Sequence, residues 1–275
     1  MIAAFEGWSD AGDAASLAVR YLCESWPVRR FATIDPEEFF DFTSTRPQVR
    51  LGDGGTTRHI DWPETLLLGG PIPGAGRDVI IVRGVEPQLR WRAFCQSVLG
   101  IANELGVQMV FTLGALLADV PHTRPVPIAG AAYDPSLAAH FGLELSRYEG
   151  ETGIVGVLHD ACARAGLPSV GLWASVPHYV HQVSSPKAAL ALVERAAAMV
   201  GTRLDPVEMR AAGDVYVRQV DERVADDDDA AAYVAQLEEA ADRQAAEVPK
   251  ADFTLRSAGS LVAEAERFLR DHGRD

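Results

Sequence analysis

The feature that most constrains this fold is a set of short, almost uninterrupted apolar runs, such as "DVIIV" at residues 78–82 and "QMVFTL" at residues 108–113. A strand that is apolar without alternation has both faces buried, as in a mostly parallel sheet covered by helices on each side. Helical patterns separate these runs up to about residue 185. The order predicts an α/β fold, a three-layer α/β/α sandwich with a mostly parallel sheet and right-handed crossovers.

The element boundaries are predicted from this alternation and from the turn residues between the runs. Predicted strands cover residues 2–5, 31–34, 57–61, 65–68, 78–82, 108–113, 144–146 and 168–174. Predicted helices cover residues 13–25, 86–105, 135–141, 152–165 and 186–200. Gly106 and Gly166 are expected to end two of these helices in the left-handed conformation.

The composition changes after residue 200, where the chain becomes rich in Ala, acidic residues and Arg and shows no convincing strand. Predicted helices there cover residues 207–224, 230–246 and 260–271. We therefore predict a core domain over residues 1–203 and a small C-terminal helical subdomain over residues 204–275. The run "DDDD" at residues 226–229 lies where acids favour a helix N-terminus, and we interpret it as a cap and solvated turn rather than a metal site.

Charge and cysteine usage exclude several classes of function. The formal net charge of −14 argues against nucleic acid and anionic membranes as partners, because both are bound through clustered Lys and Arg. No apolar run reaches the roughly 18–20 residues that span a bilayer, and no secretion signal is recognisable. The three cysteines form no CxxC pair, which favours reduced, buried thiols. We expect a cytoplasmic protein.

The first polar stretch is "FEGWSDAGDAA" at residues 5–15, where a strand ends and a helix begins. Ser9 or Asp10 is expected to cap that helix. Ligands in open α/β sheets bind at such turns, outside the carboxyl ends of the strands. Asp10 and Asp13, with Glu6 nearby, could therefore also bind a cation or a hydroxyl group. Both interpretations stay open.

The second stretch is "LGALLADVPHTRPVPIAGAA" at residues 113–132, which follows a buried strand and contains three prolines. Proline fixes φ and removes a backbone donor, so this loop is expected to be stiff. Asp119, His122 and Arg124 could serve as an orienting acid, a general base and an anion clamp. The same stiffness suits a recognition surface, which is the alternative.

The third stretch is "YEGETGIVGVLHDA" at residues 148–161, whose glycines follow a GxxGxxG spacing rather than GxGxxG. Because no GxxxxGK[ST] occurs either, the dinucleotide and P-loop interpretations fail on spacing. Thr152 or Glu151 is expected to cap the helix that follows. Its glycines are expected to let that helix pack close to the sheet.

Two further motifs do not support catalysis by hydrolytic triad or by zinc. Ser175 in "LWASVPH" lacks the flanking glycines of a nucleophile elbow. His178 and His181 form an HxxH pair without a nearby acidic third ligand. We interpret His178 and His181 as hydrogen-bonded or partly exposed histidines at a strand end. The sequence therefore predicts no cofactor and no metal.

Several long segments occur in one order along the chain: "AFEGWSDAGDAA", "RGVEPQLRWRAF", "LGALLADVPHTRPVPIAG", "YEGETGIVGVLHDACARAGLPSVGLWASVPHYV", "SPKAALALVE" and the closing "AEAERFLR". Together they closely resemble the actinobacterial branch of the proteasome assembly chaperone two family. The resemblance covers nearly the whole chain. It implies an α/β/α core related to that of purine nucleoside phosphorylases, with a helical C-terminal subdomain.

The resemblance also implies partners. It implies self-association as a homo-oligomer, with a trimer as the specific expectation, and it makes proteasome subunits candidate partners, because members elsewhere escort proteasome α-subunits into rings. Family members can dock on those rings through a terminal hydrophobic–Tyr–any-residue tail. The sequence ends in "FLRDHGRD", which does not match that pattern. Docking by such a tail is not expected, whereas docking through the folded surface stays open.

Two hypotheses of function follow, and we favour the first. It is a non-catalytic, self-associating, protein-binding protein of the assembly-chaperone type. The alternative is a small-molecule enzyme, of the nucleoside-like hydrolase or phosphorylase type, that uses a polar cleft at the carboxyl ends of the strands. Its candidate catalytic residues are Asp10, Asp13, Asp119, His122, Arg124, Glu149 and Glu151. The enzyme hypothesis predicts that these residues converge in one pocket.

Overall fold

A computed structural model describes residues 1–52, 55 and 57–247 of the chain. The strands are β1 (Ile2–Glu6), β2 (Arg29–Ile34), β3 (Gln48–Leu51), β4 (Arg58–Asp61), β5 (Thr65–Ile72), β6 (Arg77–Val85), β7 (Val110–Ala118), β8 (Ile128–Ala132), β9 (Glu144–Leu145) and β10 (Ser169–Pro177). The helices are α1 (Ala14–Ser25), α2 (Trp91–Glu104), α3 (Pro135–Phe141), α4 (Ile154–Arg164), α5 (Pro186–Met199), α6 (Val207–Ala225) and α7 (Asp228–Glu247).

Eight of these strands form one sheet in the order β2-β5-β6-β1-β7-β10-β8-β9. The four central strands β6, β1, β7 and β10 run parallel to one another. Antiparallel pairs flank them on both sides, because β5 pairs antiparallel with β6 and with β2, and β8 pairs antiparallel with β10. The α/β class with a mostly parallel central sheet, predicted from the apolar runs, is confirmed.

Strand β1 shows why an uninterrupted apolar run marks the centre of this sheet. Ile2 and Ala4 pack on one face with α1 and α5, whereas Ala3 and Phe5 pack on the other face with α2 and α4. All four side chains are buried. Since successive residues of a strand point to opposite faces, both faces need apolar residues when helices cover both. The sandwich has one hydrophobic core on each side of the sheet.

Helices α6 and α7 lie outside the layer formed by α1 and α5. Helix α6 packs on α5, and α7 packs on α6. Tyr216 and Val220 of α6 are buried together with Val180, which follows the end of β10. The predicted division near residue 203 therefore coincides with the start of this helical pair, and its status as a separate subdomain stays a prediction. The helix predicted at residues 260–271 lies outside the described residues.

Strands β3 and β8 were not predicted from the sequence. Strand β3 pairs only with β4, in a two-stranded hairpin whose residues are exposed, so its sequence carries no core pattern. Strand β8, "IAGAA", consists mainly of small residues after a proline-rich loop, and small residues have low intrinsic preference for strands. Tertiary pairing with β10 decides its conformation.

Other boundaries differ because pairing or backbone conformation overrides the local pattern. Strands β7 and β10 continue past their predicted ends and remain paired up to Ala118 and Pro177. The helix predicted from residue 86 begins at Trp91, because Pro87 lacks a donor and Arg90 has a positive φ of 51°. The extensions of the two strands bring the ends of β7 and β10 out to the loop that carries His122.

Several local predictions are confirmed. Gly106 and Gly166 have φ values of 65° and 68° after α2 and α4. At the start of α7 the Asp227 carboxylate accepts hydrogen bonds from the backbone of Asp229 and Ala230 at 3.0 and 3.1 Å, as expected of a cap. None of the helices within the described ranges is long and apolar enough to cross a membrane.

The cysteines behave as packing residues. Cys95 and Cys162 are buried, and burial raises the pKa of their thiols to about 12 and about 11. Cys23 is partly buried, and burial raises its thiol pKa as well. Since the thiolate is the nucleophile, these environments disfavour reactivity.

Candidate functional site

Asp10 lies just beyond β1 and forms an isolated bridge with Ala115 of β7. Its Oδ1 accepts hydrogen bonds from the backbone N–H groups of Ala15 at 2.7 Å and Ser16 at 3.2 Å, so its carboxylate caps α1, as predicted. Its Oδ2 is buried and has no hydrogen-bond partner among the described residues. Burial raises the pKa of the Asp10 carboxyl. The capping role therefore leaves one buried oxygen unused.

Asp13 sits at the start of α1 with a positive φ of 51°. Its Oδ2 accepts a hydrogen bond from Ser184 Oγ at 2.5 Å, and the Gly12 carbonyl accepts one from the backbone of Ser185 at 2.7 Å. Gly12 has φ 58°, and a Cβ there would lie 3.1 Å from Ser185 Cβ. Only glycine suits that position. Asp13 thus joins the start of α1 to the segment before α5.

His122 lies in the loop after β7, and its side chain is 1% exposed. Its backbone N–H donates to Tyr179 Oη at 2.9 Å, and its Nδ1 lies 2.7 Å from the same hydroxyl. The hydroxyl can then donate to Nδ1, which leaves the Nε2–H to donate to Asp221 Oδ1 at 2.9 Å. Burial raises the pKa of Tyr179 to about 12, so its hydroxyl keeps its proton. All polar atoms of this imidazole are occupied.

Arg124 contacts α7 through both sides of its guanidinium. Nε and Nη2 donate to the two oxygens of Asp242 at 2.7 and 2.8 Å, and Nη1 donates to Glu238 Oε1 at 3.1 Å. Thr123 Oγ1 also donates to Glu238. These hydrogen bonds raise the pKa of Arg124 and lower that of Asp242. The paired geometry is the one that a planar guanidinium favours.

Lys187, in the first turn of α5, fixes the backbone of the same loop. Its Nζ donates to the carbonyl oxygens of His122 at 2.5 Å and of Arg124 at 2.7 Å. The side chain is partly buried, and burial lowers its pKa. The Lys187 ammonium group therefore stabilises the loop conformation, and this role was not predicted from the sequence.

Asp119 completes the contacts of the loop. Its Oδ1 lies 3.1 Å from His178 Nδ1 and accepts a hydrogen bond from Tyr233 Oη of α7 at 3.2 Å. The other histidine of the HxxH pair, His181, lies with Nδ1 2.9 Å from the His178 carbonyl oxygen. The described residues contain no group of three His, Cys, Asp or Glu side chains that could hold a metal ion.

These contacts form one network that joins the loop after β7 to the end of β10 and to α5, α6 and α7. We call it the loop clamp. Its residues are Asp119, His122, Thr123, Arg124, His178, Tyr179, Lys187, Asp221, Tyr233, Glu238 and Asp242. The network was not predicted from the sequence, although its acidic side on α7 carries a local signal. Glu238 and Asp242 are four residues apart and so share one face of a helix.

Glu149 and Glu151 lie before α4, where both side chains are exposed. Neither Glu151 nor Thr152 caps this helix, contrary to the prediction. Gly153 occupies the cap position without a side chain, and Glu86 Oε1 accepts the hydrogen bond from the backbone of Ile154 at 2.7 Å. The cap comes from the end of β6 because the backbone of Glu86 is itself fixed beside the end of β1.

Glu151 does line an open groove of about 420 Å³ at this edge of the sheet. The groove lies between the end of β1, the end of β6 and the start of α4. Its lining residues are Trp8, Glu86, Trp91, Glu151, Thr152 and Gly153. We call it the tryptophan groove.

The candidate residues therefore fall into three places at the carboxyl edge of the parallel strands. Asp10 and Asp13 belong to the turn before α1. The loop candidates belong to the loop clamp, and Glu151 belongs to the tryptophan groove, with Glu149 two residues earlier. Within the described ranges, no hydrogen bond or ion pair links a candidate of one place to a candidate of another. The candidates therefore form their hydrogen bonds and ion pairs in three groups rather than in one.

Comparisons with known proteins agree with this architecture. The model of the PAC2 family matches residues 4–224 of the chain. A PAC2 family protein from Streptomyces avermitilis is 49% identical over 85% of this chain and 98% of its own, with a TM-score of 0.80. A proteasome-assembly chaperone homologue from Mycobacterium tuberculosis is 45% identical over the same shares, with a TM-score of 0.77. A comparison with curated proteins finds no match.

A more distant structure shares the fold. The archaeal proteasome activator PbaB from Pyrococcus furiosus is 17% identical over 82% of this chain and 91% of its own, with a TM-score of 0.63.

Proposed function

Because this chain belongs to the PAC2 family, we propose that it is a non-catalytic, self-associating protein that binds other proteins and assists proteasome assembly in the cytoplasm. The Mycobacterium tuberculosis relative, at 45% identity, is described as a proteasome-assembly chaperone homologue. Our proposal extends that description to this chain. Self-association as a homo-oligomer, with a trimer as the specific expectation, is part of the proposal.

The loop clamp is the observation that carries the proposal. An Asp, a His and an Arg at the end of a buried strand are the groups that acid–base chemistry would use. Here the imidazole of His122 is buried and hydrogen-bonded through both nitrogens, and the Arg124 guanidinium is bound to two carboxylates. Groups held in this way stabilise helices α6 and α7. They leave neither the His122 imidazole nor the Arg124 guanidinium free to act as a base or an anion site.

Exposed aromatic residues give a second line of support. Trp8 and Tyr148 are 60% and 69% exposed near the start of α4. Large aromatic side chains carry much of the binding energy in protein interfaces, because they bury a large area with few rotatable bonds. Such side chains at one edge of the molecule suit a protein-binding surface.

The proposal is tested by direct binding of purified components. Proteasome α-subunits from the same organism are mixed with the full chain, and complexes are measured by native mass spectrometry. We expect a complex of defined stoichiometry, and we expect light scattering of the chain alone to give a multiple of 29.6 kDa. A ring-forming protein unrelated to proteasomes is the control. A monomeric chain that leaves the α-subunits unbound would overturn the proposal.

One observation favours the enzyme alternative. Asp10 Oδ2 is buried without a partner, and burial raises the pKa of this carboxyl, as in many general acids and bases. A nucleoside hydrolysis and phosphorolysis assay tests it, with Asp10→Asn as the comparison. Turnover that is lost in this variant would establish the alternative, and absence of turnover would remove it.

A further inference from the structure

The tryptophan groove combines two indole rings with two carboxylates. Trp8 and Trp91 lie on its walls together with Glu86 and Glu151, and none of its six lining residues is basic. Trp8 is 60% exposed, which is unusual for so large an apolar side chain. An aromatic and acidic groove favours a cation that also has apolar or π-stacking surface.

The walls of the groove are fixed by specific contacts. The Trp91 indole N–H donates to the carbonyl oxygen of Pro87. Glu86 Oε1 is held by the backbone N–H of Ile154 at 2.7 Å. Because these contacts preorganise one ring and one carboxylate, less conformational freedom is lost when a ligand binds.

The carboxylates of the groove lack a cation. Among the described residues, neither Glu86 nor Glu151 forms an ion pair. A second groove of about 390 Å³ is lined by a single indole, that of Trp62, and by the acidic residues Asp35, Glu37 and Glu64. Its Glu64 pairs with Arg30 at 3.1 Å. The pair of indoles beside its unpaired carboxylates therefore distinguishes the tryptophan groove from the second groove, which has one indole.

An unused polar group lies against the same wall. Ser9 is 3% exposed, and its Oγ has no hydrogen-bond partner among the described residues. A Cβ added at Gly153 would lie 2.6 Å from Glu86 Oε1, 3.0 Å from Ser9 Oγ and 3.1 Å from Trp8 Cε3. The side chains of Glu86, Ser9 and Trp8 therefore meet at one point of the groove. They can do so because Gly153 has no side chain that would fill the space between them. A buried hydroxyl without a partner is costly unless something binds it.

We propose that the tryptophan groove binds the guanidinium of an arginine side chain presented by a partner protein. This proposal rests on the proposed function, because it names the chemistry by which the partner is recognised. A guanidinium is planar, stacks on indole rings and makes paired hydrogen bonds to carboxylates, so it matches both components of the groove. Glu86 Oε2 and the Glu151 carboxylate accept its N–H groups, and Trp8 covers its face.

The test uses the full chain with fluorine-labelled tryptophan, since the five tryptophans give five signals in a fluorine NMR spectrum. The probe is N-acetyl-arginine methylamide, and the matched control is the citrulline compound, which has the same shape without the charge. We expect saturable shifts of the Trp8 and Trp91 signals with arginine, little change of the Trp62 signal, and no saturable shift with citrulline. Equal responses to the two compounds, or none to arginine, would overturn the proposal.

Variants at exposed positions define the site without disturbing the α4 cap. Glu151→Gln and Trp8→Leu should each weaken arginine binding about five- to tenfold, in line with the loss of one charge-assisted or cation–π contact. Glu149→Gln and Trp62→Leu, which alter an acid and an indole outside the groove, should leave it unchanged. Equal losses in all four variants would contradict the assignment.

The outcome is independent of the proteasome experiment. Arginine binding is measured without any partner, so its absence removes the groove assignment and leaves the proposed function in place. If both hold, excess N-acetyl-arginine methylamide should reduce binding of α-subunits to the chain, whereas the citrulline compound should not. Binding of α-subunits that is insensitive to both compounds would overturn the assignment of the groove to partner recognition.

Discussion

His122 and Arg124 are two residues apart, yet each binds a different helix. The imidazole contacts Asp221 in α6, and the guanidinium contacts Asp242 and Glu238 in α7. Side chains that alternate along a stiff loop can reach different neighbours, and the prolines of this loop keep both directions fixed. At the scale of single residues, two side-chain types that are common in catalytic loops here bind two helices.

Replacing His122 by Ala should therefore lower stability. The substitution keeps the backbone N–H that donates to Tyr179 Oη, but it removes the imidazole partner of that hydroxyl and of Asp221 and leaves a buried cavity, which costs about 2–3 kcal/mol of unfolding free energy. Urea unfolding followed by circular dichroism measures it. His181→Ala is the control, because His181 is exposed and contacts only its own turn. Equal midpoints for the two variants would show that the network contributes little.

A second buried histidine predicts the pH dependence of stability. His159 of α4 hydrogen-bonds to Thr112 of β7 at 2.7 Å and to Ser169 of β10 at 2.8 Å. Burial lowers its pKa to about 4. The unfolded chain binds a proton near pH 6.5, whereas the folded chain does so only near pH 4. The stability contributed by neutral His159 is thus complete above pH 6.5 and is lost as the pH falls toward 4.

Between pH 7 and pH 5 the unfolding free energy should fall by about 2 kcal/mol from this group. The variant His159→Gln cannot take up the proton and should show a flatter profile over the same range. Denaturant titrations at half-unit pH intervals provide the measurement, with His181→Gln as the control. Parallel profiles for the His159 variant and the unchanged chain would mean that this imidazole does not control the acid response.

At the scale of elements, α7 is held to the rest of the molecule by charge as well as by apolar packing. Much of the contact between α7 and the loop is polar, through Arg124 and the two carboxylates, and these side chains are partly exposed. Contacts of this kind open more readily than a buried core. Among the described helices, we therefore expect α7 to be the one whose protection from amide hydrogen exchange depends most on a single residue outside the helix.

Arg124→Lys should loosen α7 without unfolding the sandwich. A lysine keeps the charge but cannot make the paired hydrogen bonds to Asp242, so amide hydrogen exchange across residues 228–247 should speed up several-fold. Exchange in α2 and α4 should not change. Arg243→Lys is the control, because Arg243 pairs only with Glu239 within α7, at 3.7 Å. Unchanged exchange in α7 after Arg124→Lys would count against the loop clamp.

Elements were predictable from the sequence where the pattern is local. Helix α3 begins and ends where predicted, because Asp134, Pro135 and Gly142 mark both of its ends. The role of the loop was not predictable, because its partners lie far along the chain. His122 and Asp221 are 99 residues apart, and Arg124 and Asp242 are 118 apart. The spacing of residues along the sequence does not predict contacts between residues so far apart.

The α4 cap illustrates the same limit. The sequence offers Glu151 and Thr152 next to the helix, but the carboxylate that accepts the hydrogen bond belongs to Glu86, 68 residues earlier. The parallel order of β6 and β1 brings it there. Residue types at the carboxyl edge of the sheet were thus predictable from the sequence, whereas their grouping into three places depends on the topology.

At the scale of the whole molecule, the division of polar residues separates structural groups from accessible ones. In the loop clamp, Arg124 forms ion pairs with acidic residues of the same network. The tryptophan groove leaves aromatic and acidic groups exposed. This arrangement supports our proposal that the chain recognises the surface of another protein. The proposed function therefore requires that the chain changes the assembly of another protein.

The most direct measurement is the rate at which proteasome α-subunits of the same organism assemble into rings, followed by native mass spectrometry with and without an equimolar amount of the full chain. We expect faster ring formation and a transient complex that contains both proteins. Identical rates, with no mixed complex at any time point, would contradict the proposed function.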